Sequence, residues 1–177
     1  MGILDFKYKK IPNFFTDSEL IILKDYCKKR HENNFDNFEK SELGDTLDTF
    51  FYKDPLMQVF LDQKKEIVEN ETKIKLFSTY SYWRMYTLYA GLKKHKDRPS
   101  CEISVTACMD QKGEDWPIYM EDNPIVLKPG DACIYQGTKI LHERKEFHGE
   151  YNAQVFFHYV DQEGKYKDRK GDNNYEI

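Results

Sequence analysis

Two rhythms of hydrophobic and polar positions divide the chain near residue 75. Before it, apolar residues return every three or four positions, the period of a helix that buries one face. Ile11-Pro12-Asn13-Phe14-Phe15 is a short apolar entry, and Thr16 then reads as an N-cap. Glu19 follows three residues on as the second half of a capping box, ahead of Leu20, Ile21, Leu23 and Tyr26. The polar, Asn-rich stretch 31–40 reads as a loop. A second helix is predicted from Pro55, a favourable first helical position, to about Glu71, with Leu56, Val59, Phe60, Ile67 and Val68 mostly on one face.

After residue 75 the period shortens to two. Residues 75–89 are rich in aromatic and β-branched types, 101–109 alternate around Ile103, Val105 and Ala107, and 151–160 place Ala153, Val155, Phe157 and Tyr159 on one side. Shorter strands are predicted at 117–127 and 132–136, separated by the turn Lys128-Pro129-Gly130-Asp131. Short strands joined by Gly/Pro turns point to a closed or double-sheet β architecture. The expectation is therefore a single α+β domain over 1–177 with a mainly β core. Residues 1–74 form a mainly helical support, 75–160 the core, and 161–177 a polar tail with little structure.

Composition sharpens this picture in three places. Aromatics make up 15% of the chain, with 13 Tyr and 12 Phe, enough for a packed core despite 33% charged residues. The net charge of −4 argues against a nucleic-acid partner, since phosphate binding is led by clustered Lys and Arg. The four cysteines stand singly with no signal peptide ahead of them, as expected of small apolar residues in a reducing cytoplasm. No apolar run approaches the roughly 20 residues of a membrane span.

The candidate chemistry centres on Leu92-Lys93-Lys94-His95-Lys96-Asp97. Two residues apart on an extended segment, His95 and Asp97 point to the same side. One imidazole and one carboxylate so placed are two thirds of a 2-His-1-carboxylate facial triad, which leaves three positions open on Fe(II). Of the other histidines, His142 follows a predicted strand and stands beside a turn. His148 reads as exposed, His158 as a core or lining residue, and His31 as surface.

Taken together, Tyr82-Trp83-Arg84-Met85-Tyr86, Gly91, His95-Lys96-Asp97, Pro129-Gly130-Asp131 and His142 resemble the 2-oxoglutarate- and Fe(II)-dependent oxygenases, most of all their prolyl-hydroxylase-related branch. The apolar entry at 11–16 with Glu19 is similar to the helical start of that branch, so the resemblance spans about residues 10 to 160. It implies a double-stranded β-helix of jelly-roll or cupin type with N-terminal helices packed on it, and Fe(II) held by His95, Asp97 and His142. It also implies 2-oxoglutarate as cosubstrate, dioxygen as oxidant, and hydroxylation of a C–H bond with succinate and CO2 as co-products. The substrate class it suggests is a peptide residue, proline among the candidates, or a small molecule. No acid–base residue is needed beyond the metal ligands.

One point departs from the family. The strand after the second histidine usually opens with an Arg or Lys for the distal carboxylate of 2-oxoglutarate, whereas here it reads Glu150-Tyr151-Asn152-Ala153-Gln154. A buried carboxylate needs a charge-assisted partner. Arg84, Arg144 and Arg98 are the candidate replacements, Tyr86 a candidate phenol donor, and Asn152 and Gln154 candidate neutral donors. Tyr80, Tyr82, Trp83, Tyr89 and Trp116 are read as core aromatics before pocket lining, and Lys93, Lys94 and Lys96 as a solvated basic rim. Two rivals stay open: a β-barrel binding protein that has lost the chemistry, and a zinc hydrolase using the same ligands, although no HExxH motif is present.

Overall fold

The computed structural model describes residues 6–172, and its strands form two antiparallel sheets. The seven-stranded sheet runs in the order β1 (Tyr8–Ile11), β9 (Ala132–Tyr135), β6 (Ile103–Lys112), β11 (Tyr151–Asp161), β4 (Leu76–Thr87), β3 (Leu47–Tyr52), β2 (Phe38–Lys40). The four-stranded sheet is β5 (Leu92–His95), β10 (His142–Arg144), β7 (Ile118–Met120), β8 (Asn123–Ile125). Among the described residues no helix is long and apolar enough to cross a membrane.

Two helices cover one face of the larger sheet. Helix α1 (Asp17–Glu32) opens on the predicted capping box: Thr16 Oγ1 accepts from Glu19 N–H, and Glu19 accepts from Thr16 N–H at 2.8 Å. Helix α2 (Pro55–Thr72) starts at Pro55 behind Asp54, whose carboxylate accepts from Leu56 N–H at 3.1 Å. Leu23 and Cys27 of α1 and Met57, Phe60, Leu61 and Val68 of α2 join Trp83, Val105, Ala153, Val155, Phe157 and Tyr159 in the main core. Burying each large side chain here contributes about 1.5–3 kcal/mol.

The opposite face of the larger sheet is different. It turns Ser104, Thr106 and Cys108 of β6 and Gln154, Phe156 and His158 of β11 toward the smaller sheet, all of them buried. The register aligns the two strands, with Gln154 opposite Cys108 and Arg84, and His158 opposite Ser104. The main core thus lies on the helix side of the sheet, while the other side mixes these polar residues with a smaller apolar cluster that includes Ile118, Met120, Cys133 and Tyr135.

Several boundaries differ from expectation. The first half carries both predicted helices, but also β1, β2 and β3, which complete the edges of the larger sheet. Of these, β1 and β2 are the edges, with charged, exposed residues such as Lys9, Lys10, Glu39 and Lys40, a composition that suits an edge and hides the alternation. The stretch 31–40 therefore holds the end of α1 and β2 as well as a loop. The predicted strand 117–127 is a hairpin, β7 and β8, because Glu121 and Asp122 both take positive φ (49° and 69°) and form a two-residue turn.

The tail is also more structured than expected. After Asp161 closes β11, an irregular 3₁₀ segment, Lys167–Asp172, returns to the body of the protein. Asp172 is buried, accepts a bidentate pair from Arg98 (2.8 and 2.6 Å), and accepts from Tyr52 Oη at 2.5 Å. The last five residues of the expected tail lie outside the described ones. Replacing Asp172 with Ala strands the Arg98 guanidinium beside the cleft and should cost about 1–3 kcal/mol in a urea titration. A change below about 0.5 kcal/mol would mean the segment is not docked in solution.

Candidate metal centre

Strands β5 and β10 pair so that His142 lies directly opposite His95, with ring centroids 4.3 Å apart. Asp97, two residues beyond His95, brings Oδ1 to 3.4 Å from His95 Nε2 and 3.3 Å from His142 Nε2. One ligand atom from each of the three lies within 4.8 Å of the others. On the far side of each ring, Nδ1 of His95 is 2.7 Å from the Lys93 carbonyl and Nδ1 of His142 is 3.0 Å from the Ile140 carbonyl. A carbonyl only accepts, so both Nδ1 atoms carry hydrogen and both Nε2 atoms are left to ligate.

That arrangement calls for a cation. Two nitrogen lone pairs aimed at a carboxylate oxygen repel unless a proton or a metal ion lies between them. The titration tendencies agree. The Asp97 carboxylate beside His95 raises the imidazole above its ordinary pKa. Burial pushes Asp97 up, but the two facing imidazoles outweigh this and hold its carboxyl well below the usual carboxylate range.

Asp97 is fixed from its other side. Its backbone N–H donates to the Gly137 carbonyl at 2.9 Å, and its Oδ2 accepts from Ser104 Oγ at 2.8 Å. A Cβ at position 137 would collide with the Cys101 carbonyl and with Asp97 Oδ2, so only glycine lets this turn approach the carboxylate. A cleft of about 310 Å³ opens over the three residues, with Tyr82, Tyr86 and Phe156 among its walls.

The candidate cosubstrate residues separate clearly. Arg84 is held by protein carboxylates, 3.0 and 2.9 Å from Asp48 Oδ2 and 3.0 Å from Glu39 Oε2. Arg98 is held by Asp172 as described above. Gln154 is buried and bonded within the protein, donating to Asn152 Oδ1 at 2.6 Å and accepting from Thr106 Oγ1 at 3.3 Å. Tyr86 is buried against Trp116, and burial pushes its phenol up to about 12, so it stays neutral.

Arg144 differs from the other two arginines. It is fully buried, lies over the Trp116 ring at 4.8 Å, and donates from Nη1 to the Trp116 carbonyl at 2.8 Å. Its Nε and Nη2 have no partner among the described residues, and no carboxylate pairs with it there. Its surroundings are instead Tyr86, Tyr135 and the buried thiols of Cys108 and Cys133. Burial accordingly pulls its pKa below the ordinary guanidinium value.

No protein-family profile and no curated protein sequence matches the chain. Solved structures do. The non-haem α-ketoglutarate-dependent epimerase SnoN from nogalamycin biosynthesis superposes with a TM-score of 0.73 at 9% identity, covering 88% of this chain and 78% of that one. A Pseudomonas putida prolyl-4-hydroxylase gives 0.67 at 13% identity, covering 90% and 95%. HygX from Streptomyces hygroscopicus, solved with nickel and 2-oxoglutarate bound, gives 0.67 at 11%, covering 89% and 84%. The fold is that of the 2-oxoglutarate- and Fe(II)-dependent oxygenases.

Within this oxygenase fold, Ser104 and Gly137 contact Asp97 without having been singled out by the sequence. His158 was expected to be a core or lining residue; it is buried and lines the cleft, with Nδ1 2.9 Å from Ser104 Oγ and its ring 4.5 Å from Tyr80. A usable signal existed in the alternation: Ser104, Thr106 and Cys108 recur every second residue between the apolar Ile103, Val105, Ala107 and Met109. On a strand buried on both faces, such a polar row marks an interior site. Tyr80 and Tyr82, read first as core aromatics, both line the cleft, whereas Trp83 does sit in the core.

Burial pushes His158 down to about 4. The folded protein therefore keeps this ring neutral where the unfolded chain protonates it, below about pH 6.5. Its contribution to stability is present above that pH and is lost as pH falls from about 6.5 to 4, on the order of 3 kcal/mol. His95, whose pKa is raised, contributes with the opposite sign. Urea titrations of metal-free protein between pH 7 and 4.5 should thus show a shallower acid loss for His158→Phe than for the parent; parallel curves would contradict the assignment.

Proposed function

We propose that the chain is a non-haem Fe(II)- and 2-oxoglutarate-dependent dioxygenase whose two sheets form a double-stranded β-helix. In this reading His95, Asp97 and His142 hold the iron, and the reaction hydroxylates a C–H bond of a peptide residue, proline among the candidates, or of a small molecule. Bound together, the metal and cosubstrate supply the oxidising chemistry, in which 2-oxoglutarate is converted to succinate and CO2 while one oxygen atom from O2 enters the substrate.

The observation that carries the reading is Arg144. It follows His142 by two residues on β10, across an irregularity in the pairing with β5, and lies behind Tyr86 and Tyr135, which line the cleft. Its two orphaned N–H donors are the missing partners for a distal carboxylate, supplied from the strand of the second histidine rather than from β11. Trp116 holds the guanidinium in place through its ring and carbonyl, and the neutral Tyr86 phenol lies within its electrostatic reach. Tyr82 and Phe156 wall the cleft with apolar surface that keeps water from the reacting C–H bond. A zinc hydrolase or a degenerate binding protein leaves the buried Arg144 charge without a purpose, and an uncompensated buried charge costs several kcal/mol.

Calorimetric titration of 2-oxoglutarate into the Mn(II)-loaded protein tests this directly. Arg144→Met should weaken binding by about 100-fold or more, the loss of two charge-assisted hydrogen bonds, while Arg98→Met stays within about 3-fold. The same Arg144→Met change should leave the ligand-free protein as stable as the parent or more so, by about 1–3 kcal/mol, because it removes a buried unpaired charge. Equal affinity in parent and Arg144→Met would refute the assignment.

A further inference from the structure

Asp97 has two oxygens, and the cleft uses only one of them. Oδ1 faces both imidazoles, while Oδ2 faces away toward the larger sheet, where Ser104 Oγ lies at 2.8 Å. Ser104 sits on β6 and is fully buried; His158, opposite it on β11, brings Nδ1 to 2.9 Å from the same hydroxyl. The Cys101 carbonyl is a third neighbour at 3.1 Å.

A hydroxyl has one proton, and these three neighbours compete for it. A hydrogen bond to a carboxylate is about twice as strong as one between neutral groups, so the proton goes to Asp97 Oδ2. The oxygen of Ser104 is then an acceptor, and His158 donates to it as its Nδ1–H tautomer, beside the buried Tyr135 phenol that also hydrogen-bonds this side chain. Tyr80, tilted against the His158 ring at 4.5 Å, and the strand pairing of β6 with β11 keep that ring in place.

We propose that His158 and Ser104 form a relay that pins Asp97 Oδ2 and so keeps Asp97 a one-oxygen ligand. The consequence is a matter of counting. A facial triad with a monodentate carboxylate leaves three positions open, enough for a bidentate cosubstrate and dioxygen, whereas a bidentate carboxylate leaves two. Gly137 belongs to the same device, since any side chain there would displace Oδ2. Both relay residues are positioning residues that act through Asp97. The inference rests on the reading of His95, Asp97 and His142 as the metal ligands.

The test is Co(II) binding to the full chain, followed by calorimetry and by the visible d–d spectrum, which reports coordination number and needs no turnover. Ser104→Ala and His158→Phe should each weaken Co(II) binding by about 10- to 100-fold and alter the spectrum, the range seen when partners of metal ligands are lost. The double variant should be no worse than the weaker single one, because both act on one oxygen. His158→Asn, whose amide can donate from nearly the same place, should recover affinity to within about 3-fold of the parent and also guards against a variant that fails to fold. Parent-like affinity and spectrum in Ser104→Ala or His158→Phe would overturn the relay alone, provided Asp97→Ala loses binding. If Asp97→Ala binds as the parent does, or the parent does not bind, both the relay and the ligand assignment fall.

Discussion

The carboxylate of Asp97 stands where the two sheets meet, and the candidate site is built outward from it. It follows β5 of the smaller sheet, hydrogen-bonds through its backbone to the turn after β9, and reaches Ser104 on β6 of the larger one. The two histidines converge on its remaining oxygen because β5 and β10 pair in a register that sets one opposite the other. A buried carboxylate in such a place must be neutralised, and the surrounding groups supply only lone pairs or weak donors until a cation arrives. On the inner face of the larger sheet, Ser104 bonds Asp97 directly, while Thr106, Gln154 and Asn152 satisfy one another.

Much of this was visible in the chain itself. The capping box at Thr16 and Glu19, the helix starting at Pro55 and the alternation in β4, β6 and β11 express local rules that packing did not override. His95 and Asp97 do point to the same side, since side-chain period two is a property of any extended segment. What escaped was set by partners far away. The edge strands β1 and β2 are held by pairing with β9 and β3, not by their own alternation. The hairpin at Glu121-Asp122 uses a turn with none of the glycine or asparagine that usually announces it. Choosing among Arg84, Arg98 and Arg144 needed the positions of Asp48 and Asp172, 36 and 74 residues from their partners.

Those three arginines also show why burial alone is a poor guide to role. Arg84 and Arg144 are both buried, yet one is satisfied by carboxylates of the protein and the other by none among the described residues. A guanidinium left in that condition destabilises the protein, and under the proposed function 2-oxoglutarate offsets that cost on binding. Under the proposed function, Arg144 and Asp97 share one design, in which the protein leaves charges incomplete where a ligand is to complete them.

The most direct measurement is an anaerobic titration of the metal-free protein with Fe(II) and then 2-oxoglutarate, followed by visible absorption. The account predicts a charge-transfer band that appears only when both are present, is absent in Asp97→Ala, and requires far more 2-oxoglutarate in Arg144→Met. Fe(II) binding with no band at any 2-oxoglutarate concentration would contradict it, and would make the chain a metal-binding protein that keeps the oxygenase fold without its cosubstrate.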